Sequence, residues 1–151
     1  MENLNYVHNI IAPKSSVFIM PAVIMILFVV MFIGCIGIMY YMRNTTINVN
    51  NEYLTIKSFL YGKTISLDKI DIAGLRRLNL YDEPEYNIRI RTNGVGLPNY
   101  FVGWMKLNNG NRALVYLTDR TNVALIPTDE YSILFSTDDF EGLKEILNKR
   151  K

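Results

Sequence analysis

Val17-Phe18-Ile19-Met20-Pro21-Ala22-Val23-Ile24-Met25-Ile26-Leu27-Phe28-Val29-Val30-Met31-Phe32-Ile33-Gly34-Cys35-Ile36-Gly37-Ile38-Met39-Tyr40-Tyr41-Met42 is a run of 26 residues without a charged side chain, in a chain of 151. At ~1.5 Å of rise per residue, a helix of this length crosses the ~30 Å hydrocarbon core of a bilayer with room for tilt. The run divides the chain into a tail (1–16), a single transmembrane helix (17–42) and a domain (43–151).

A cleaved secretory signal needs a basic leading segment, an apolar core of roughly 7–15 residues and a small-residue cleavage site. Here only Lys14 and the amino terminus carry positive charge, and the apolar run is too long. Gly34-Cys35 has the look of a lipoprotein cleavage site, but Phe32 stands where Leu is expected and seven uncharged positions follow Cys35. The expectation is an uncleaved, integral, single-pass anchor in the cell membrane. Pro21 falls in the first turns, where a missing N–H costs least. Tyr40 and Tyr41 stand at the exit, as interfacial aromatics do. Gly34 and Gly37 are three apart, which is not the four-residue spacing of close helix pairs. Arg43, Lys57 and Lys63 follow the helix against Lys14 before it, and this slight excess points to a cytoplasmic domain.

Cys35, the only cysteine, lies within the membrane segment, so the domain has neither a disulfide nor thiolate chemistry. Asn44-Thr45-Thr46 is formally a glycosylation sequon, but it abuts the bilayer and reads as chance. The 108 residues from Asn44 suffice for one small domain. They carry 14 basic and 13 acidic side chains, a balance that excludes an ordinary nucleic-acid binder.

That segment reads as short strands between turns. Thr46-Ile47-Asn48-Val49 and Tyr53-Leu54-Thr55-Ile56-Lys57 alternate about Asn50-Asn51, which predicts a hairpin. Tyr61-Gly62 turns the chain into Lys63-Thr64-Ile65-Ser66-Leu67, and the apolar stretch 70–80 bends at Gly74. Tyr86-Asn87-Ile88-Arg89-Ile90-Arg91 has the cleanest two-residue period, with Asn93-Gly94 predicted to end it. Further strands are expected over 100–107, 113–117, 123–127 and 131–135, with a turn at Asn108-Asn109-Gly110. Turns every 8–12 residues without a long helical period indicate an antiparallel sandwich or barrel.

The last element changes period. Ser136-Thr137-Asp138-Asp139 offers a helix cap, and Phe140, Leu143, Ile146 and Leu147 are expected on one face of the helix after it. Glu141, Lys144, Glu145 and Asn148 fall opposite. One amphipathic helix after a run of strands is a plug for the open end of a small barrel.

In this order of elements the chain resembles the bacterial pleckstrin-homology domains, in particular those fused to a membrane segment. The resemblance covers residues 44–148. It is carried by Gly94-Val95-Gly96-Leu97-Pro98-Asn99-Tyr100 with Gly103, and by Gly110 before Ala113-Leu114-Val115-Tyr116-Leu117-Thr118-Asp119. Residues 123–128 and Ser136-Thr137-Asp138-Asp139 complete it. It implies a mainly-β, partly open antiparallel barrel capped by a C-terminal helix, and no established ligand.

Catalytic chemistry is hard to assemble. Gly94-Val95-Gly96 lacks the third glycine of a dinucleotide fingerprint, since Asn99 stands there. His8, the lone histidine, precedes the membrane segment and cannot join a site in the domain. Asp82, Glu83, Glu85 and Asp119 lack the spacing of a calcium loop and read as solvated acids. Ser58 and Thr118 have no visible base. No catalytic residue, metal site or cofactor is expected.

The binding candidates are Arg76, Arg77, Arg89 and Arg91, with Tyr100 and Trp104. Arg89 and Arg91 are expected on one strand face, opposite Tyr86, Ile88 and Ile90. With Arg76-Arg77 on a neighbouring strand, they would make a basic patch for anionic headgroups or an acidic partner. The plainer alternative pairs these arginines with Asp82, Glu83 and Glu85 on a solvent-facing sheet. Tyr100, Phe101, Trp104 and Met105 read as core, with Phe101 and Gly103 on one face and Tyr100, Val102 and Trp104 on the other. The expected function is a non-enzymatic protein-interaction module at the membrane. The rivals are an accessory subunit of a membrane complex, binding through its helix, and a sensor of anionic lipid.

Overall fold

Helix α1, Ile19–Arg43, comes after a 3-10 turn over Ser15–Phe18 and has Pro21 in its first turn, where the backbone N–H groups have no intrahelical acceptor. Within Ser15–Tyr40 an 18-residue window reaches a mean hydropathy of 3.0, and none of that window is buried. Among the described residues this is the one helix long and apolar enough to cross a membrane. The computed structural model describes residues 11–149, so the expectations for residues 1–10, His8 included, lie outside it. The chain divides between Arg43 and Asn44 into two units.

The second unit begins with an antiparallel three-stranded sheet of β1 (Thr46–Val49), β2 (Tyr53–Lys57) and β3 (Lys63–Ser66). The side chain of Asn50 accepts N–H bonds from Glu52 (3.0 Å) and Tyr53 (2.7 Å), closing the first hairpin as its sequence predicts. Alternation turns Leu54, Ile56 and Ile65 inward. A six-stranded sheet comes next, built from β4 (Arg76–Leu78), β5 (Ile88–Leu97), β6 (Tyr100–Leu107), β7 (Arg112–Leu117), β8 (Val123–Pro127) and β9 (Ser132–Ser136). Its order is β4-β8-β9-β7-β6-β5. Every ladder is antiparallel except β7 with β9, where the chain passes out to β8 and returns through β9 into the gap beside β7.

Both faces of the larger sheet are apolar, which is why β7 (Ala113-Leu114-Val115-Tyr116-Leu117) and β8 read as continuous rather than alternating apolar runs. One face joins Val102, Leu114 and Ile133 to Leu54, Ile56 and Ile65 of the smaller sheet and to Phe140 and Leu147 of α2 (Phe140–Lys149). The other gathers Met105, Leu107, Val115 and Leu134 with Leu78 and Leu80. β1, β3, β4 and β5 are the sheet edges, so the mainly-β, helix-capped, partly open architecture expected from the sequence is the one found.

Two details depart from expectation. Asp139 caps α2, its carboxylate accepting the Gly142 N–H at 2.9 Å, but the apolar stripe is narrower than expected. Phe140 and Leu147 are buried and Leu143 half-buried, whereas Ile146 is 45% exposed. At 3.6 residues per turn, Ile146 stands about 120° round the helix from Phe140, at the rim of the stripe. Asn93-Gly94 does not end a strand either: β5 runs through it to Leu97.

Candidate functional site

Gly94 and Gly103 face each other across the β5–β6 ladder. Gly103 has φ +116°, and a Cβ there would stand 2.6 Å from the Asn93 carbonyl oxygen. A Cβ on Gly94 would stand 2.5 Å from the Val102 carbonyl oxygen. The pair brings two backbones closer than any side chain allows. Tyr61, from the β2–β3 loop, lies against this notch: its ring is beside Gly103 and its hydroxyl donates to Asn93 Oδ1 at 3.2 Å. The Tyr116 hydroxyl donates in turn to the Tyr61 carbonyl, and burial pushes its phenol pKa up.

Asp119, just past β7, accepts the N–H of Thr121 at 2.9 Å. That bond, with the Thr121 hydroxyl next, holds its carboxyl below the usual carboxylate range. Ser136, at the end of β9, accepts the N–H groups of Thr118 (3.0 Å) and Asp119 (2.9 Å) and donates to the Asp119 carbonyl (2.6 Å). The glycines, the Tyr-Leu-Thr-Asp strand end and the serine thus hold the fold together locally.

The four arginines do not form one row. β4 and β5 are opposite edges of the larger sheet, not neighbours. Arg76 pairs with Glu83 at 3.0 Å and lies over the Tyr86 ring, 4.8 Å from its centroid. Arg77 donates to Asn122 Oδ1. Half of the expected patch is therefore engaged locally, and Glu83 fills the role the plainer alternative gave it.

Arg89 and Arg91 lie exposed on β5, but not as a simple two-residue period places them. Ile88 pairs with Leu107 and Ile90 with Lys106, so Arg89 is an inserted residue, and a second irregularity falls between Arg91 and Asn93. Each insertion reverses the inward–outward parity of the residues beyond it. Ile88 packs against the apolar cluster, whereas Ile90 turns out to solvent, 54% exposed. Leu97, at the other end of the strand, is exposed as well.

Tyr100 and Trp104 are half-buried beside the first cluster, on the strand face opposite Phe101 and Met105, as expected. Burial raises the pKa of the Tyr100 phenol. The Arg112 guanidinium covers the Trp104 ring at 4.0 Å, and Tyr131 meets it edge-on at 4.9 Å. Tyr131 also borders an open cleft of about 340 Å³ between β3 and the β8–β9 turn, whose lining includes Lys63, Lys69, Asp129 and Glu130. Sequence reasoning names neither Arg112 nor Tyr131, because only the fold brings them to Trp104.

Among the described residues, no three His, Cys, Asp or Glu side chains gather as a metal site. Asp82 accepts from the Asn79 amide at 2.6 Å, so the acidic loop is partly taken up by its own turn. A family model described as a bacterial PH domain matches residues 45–151. No curated protein and no solved structure gives a significant match. With more than two thirds of its length matched, the chain belongs to the bacterial PH domain family.

Proposed function

We propose that the protein is a single-pass, membrane-anchored interaction module whose PH-like domain binds a protein partner through the outer edge of β5, without catalysis. The fold class is a general protein- and lipid-interaction module, and α1 has the length and composition of an anchor. The carrying observation is the ten-residue edge strand β5, on which Arg89, Ile90, Arg91 and Leu97 are exposed together. An edge strand offers unpaired backbone groups to an added strand, and its side chains select the partner. Two arginines beside an exposed isoleucine suit an extended segment carrying acidic and apolar residues. A lipid sensor built on four arginines is the weaker reading, since Arg76 and Arg77 are engaged by Glu83, Tyr86 and Asn122. The basic residues after α1 support a domain on the cytoplasmic side of the cell membrane.

The test is photocrosslinking in native membranes with the full-length chain, carrying a photoreactive residue in place of Ile90 or of Leu27. The expected result is a discrete protein adduct from position 90, lost in the Arg89→Glu, Arg91→Glu variant. Protein adducts from position 27 alone would assign the contact to the helix and make the protein an accessory subunit. Lipid adducts alone from position 90 would favour the lipid reading.

A further inference from the structure

The loop between β2 and β3 reads Ser58-Phe59-Leu60-Tyr61-Gly62, with Lys57 before it and Lys63 after it and no acidic residue between them. Phe59 and Leu60 are 54% and 57% exposed. Single exposed apolar residues are ordinary; an adjacent pair at a loop tip, flanked by cations, is not. The root of the loop is held at Tyr61, by the Gly103 notch, by Asn93 and by the Tyr116 hydroxyl.

Strand register fixes the end of the sheet at which this tip lies. Thr46, the first residue of β1, pairs with Lys57, the last of β2. The Thr45 hydroxyl donates to Ser58 Oγ at 3.4 Å. Arg43, the last residue of α1, precedes Thr46 by three residue steps, at most ~11 Å of extended chain. The loop therefore stands at the end of the hairpin where the chain enters β1, and the Asn50-Asn51-Glu52 turn stands at the other.

We infer that Phe59 and Leu60 insert into the boundary between headgroups and acyl chains of the bilayer that α1 spans, with Lys57 and Lys63 against anionic headgroups. The inference rests on the anchor reading of α1. Apolar side chains at an interface of this kind sit ~5–10 Å into the boundary region, and neighbouring lysines add attraction to anionic lipid. The domain then has a second attachment to the membrane besides its tether, which limits its tumbling.

The test uses the full chain in vesicles of phosphatidylcholine and phosphatidylglycerol. A polarity-sensitive fluorophore is placed at Leu60→Cys or at Glu52→Cys in a Cys35→Ala background, and at the native Cys35 in the unaltered chain. Position 60 is expected to be quenched by brominated acyl chains and shielded from aqueous iodide, and position 52 to behave the opposite way. Phe59→Asp should abolish the bromolipid quenching at position 60. Quenching at position 60 no greater than at position 52, with Cys35 strongly quenched, overturns the inference and leaves the anchor standing. Absence of bromolipid quenching at Cys35 removes the anchor, and the inference falls with it.

Discussion

Replacing Gly103 with alanine sets two costs on one residue. Its φ of +116° is one that an L side chain rarely adopts, and holding it there costs ~1–3 kcal/mol. The added Cβ would also stand 2.6 Å from both the Asn93 carbonyl oxygen and the Gly94 Cα, and 3.1 Å from the Tyr61 ring. The first two are backbone atoms of the paired strand and cannot rotate away, so the ladder itself must shift. Overpacking of that kind adds ~1–3 kcal/mol. The sum, ~2–6 kcal/mol, is a large fraction of the ~5–15 kcal/mol that holds an ordinary domain together. Gly110 is the control, since its φ is +87° but a Cβ there meets nothing within 4 Å. Gly110→Ala should cost only the conformational part, ~1–2 kcal/mol. Urea unfolding of the fragment Asn44–Lys151, which contains both apolar clusters, reports the two as shifts in midpoint at constant slope. Equal losses at 103 and 110 would refute the claim that close approach, and not the dihedral alone, demands glycine at 103.

Leu147→Ala should destabilise the same fragment by ~2–5 kcal/mol, because Leu147 is fully buried. Ile146→Ala, at the exposed rim, should stay within ~1 kcal/mol in the same assay. Tyr116→Phe removes the donor to the Tyr61 carbonyl and should cost ~1–3 kcal/mol, with faster amide hydrogen exchange confined to the β2–β3 loop. Asp119, with its folded-state pKa lowered, stabilises the fold above the ordinary carboxylate range and loses that contribution as pH falls through the lowered pKa. Asp119→Asn should therefore be less stable than the parent near neutrality, the gap closing in acid, as pH-dependent melting will report. The full-length protein should remain in the pellet through carbonate and high-salt washing, since a helix of 25 residues as apolar as α1 does not leave a bilayer on screening alone.

Strands whose order is local are legible in the sequence. β2 occupies 53–57 and β6 100–107 as expected, because alternation or an apolar run between turn residues is information carried within the segment itself. β5 defeats sequence reading for the complementary reason. Asn93-Gly94 looks like a hairpin turn, but its glycine answers Gly103 across the ladder, and that pairing is not visible from either segment alone. The insertion at Arg89 is equally silent, so simple alternation assigns Ile90 to the wrong face. Of the candidate residues, exposure of Arg89 and Arg91 comes from their chemistry. The local capture of Arg76 by Glu83 and Tyr86 depends on how the chain returns between β4 and β5.

β9 is the last strand to be made, yet it occupies an interior place in the larger sheet, between β7 and β8. Until Ser136 has left the ribosome, the nascent chain holds β7 with one flank bare and β8 with another, two adhesive backbone rows of the kind that join unrelated chains. Nineteen residues separate Leu117, the end of β7, from Ser136, the end of β9. At ~5–20 residues per second, translation leaves that flank open for about 1–4 s. α1 precedes the domain in the chain, so on the proposed reading of α1 as an anchor every such unfinished domain is already tied to a surface. Growing neighbours on one polysome share that surface with their open flanks exposed, which makes the interval between β7 and β9 the vulnerable period in this protein's biogenesis.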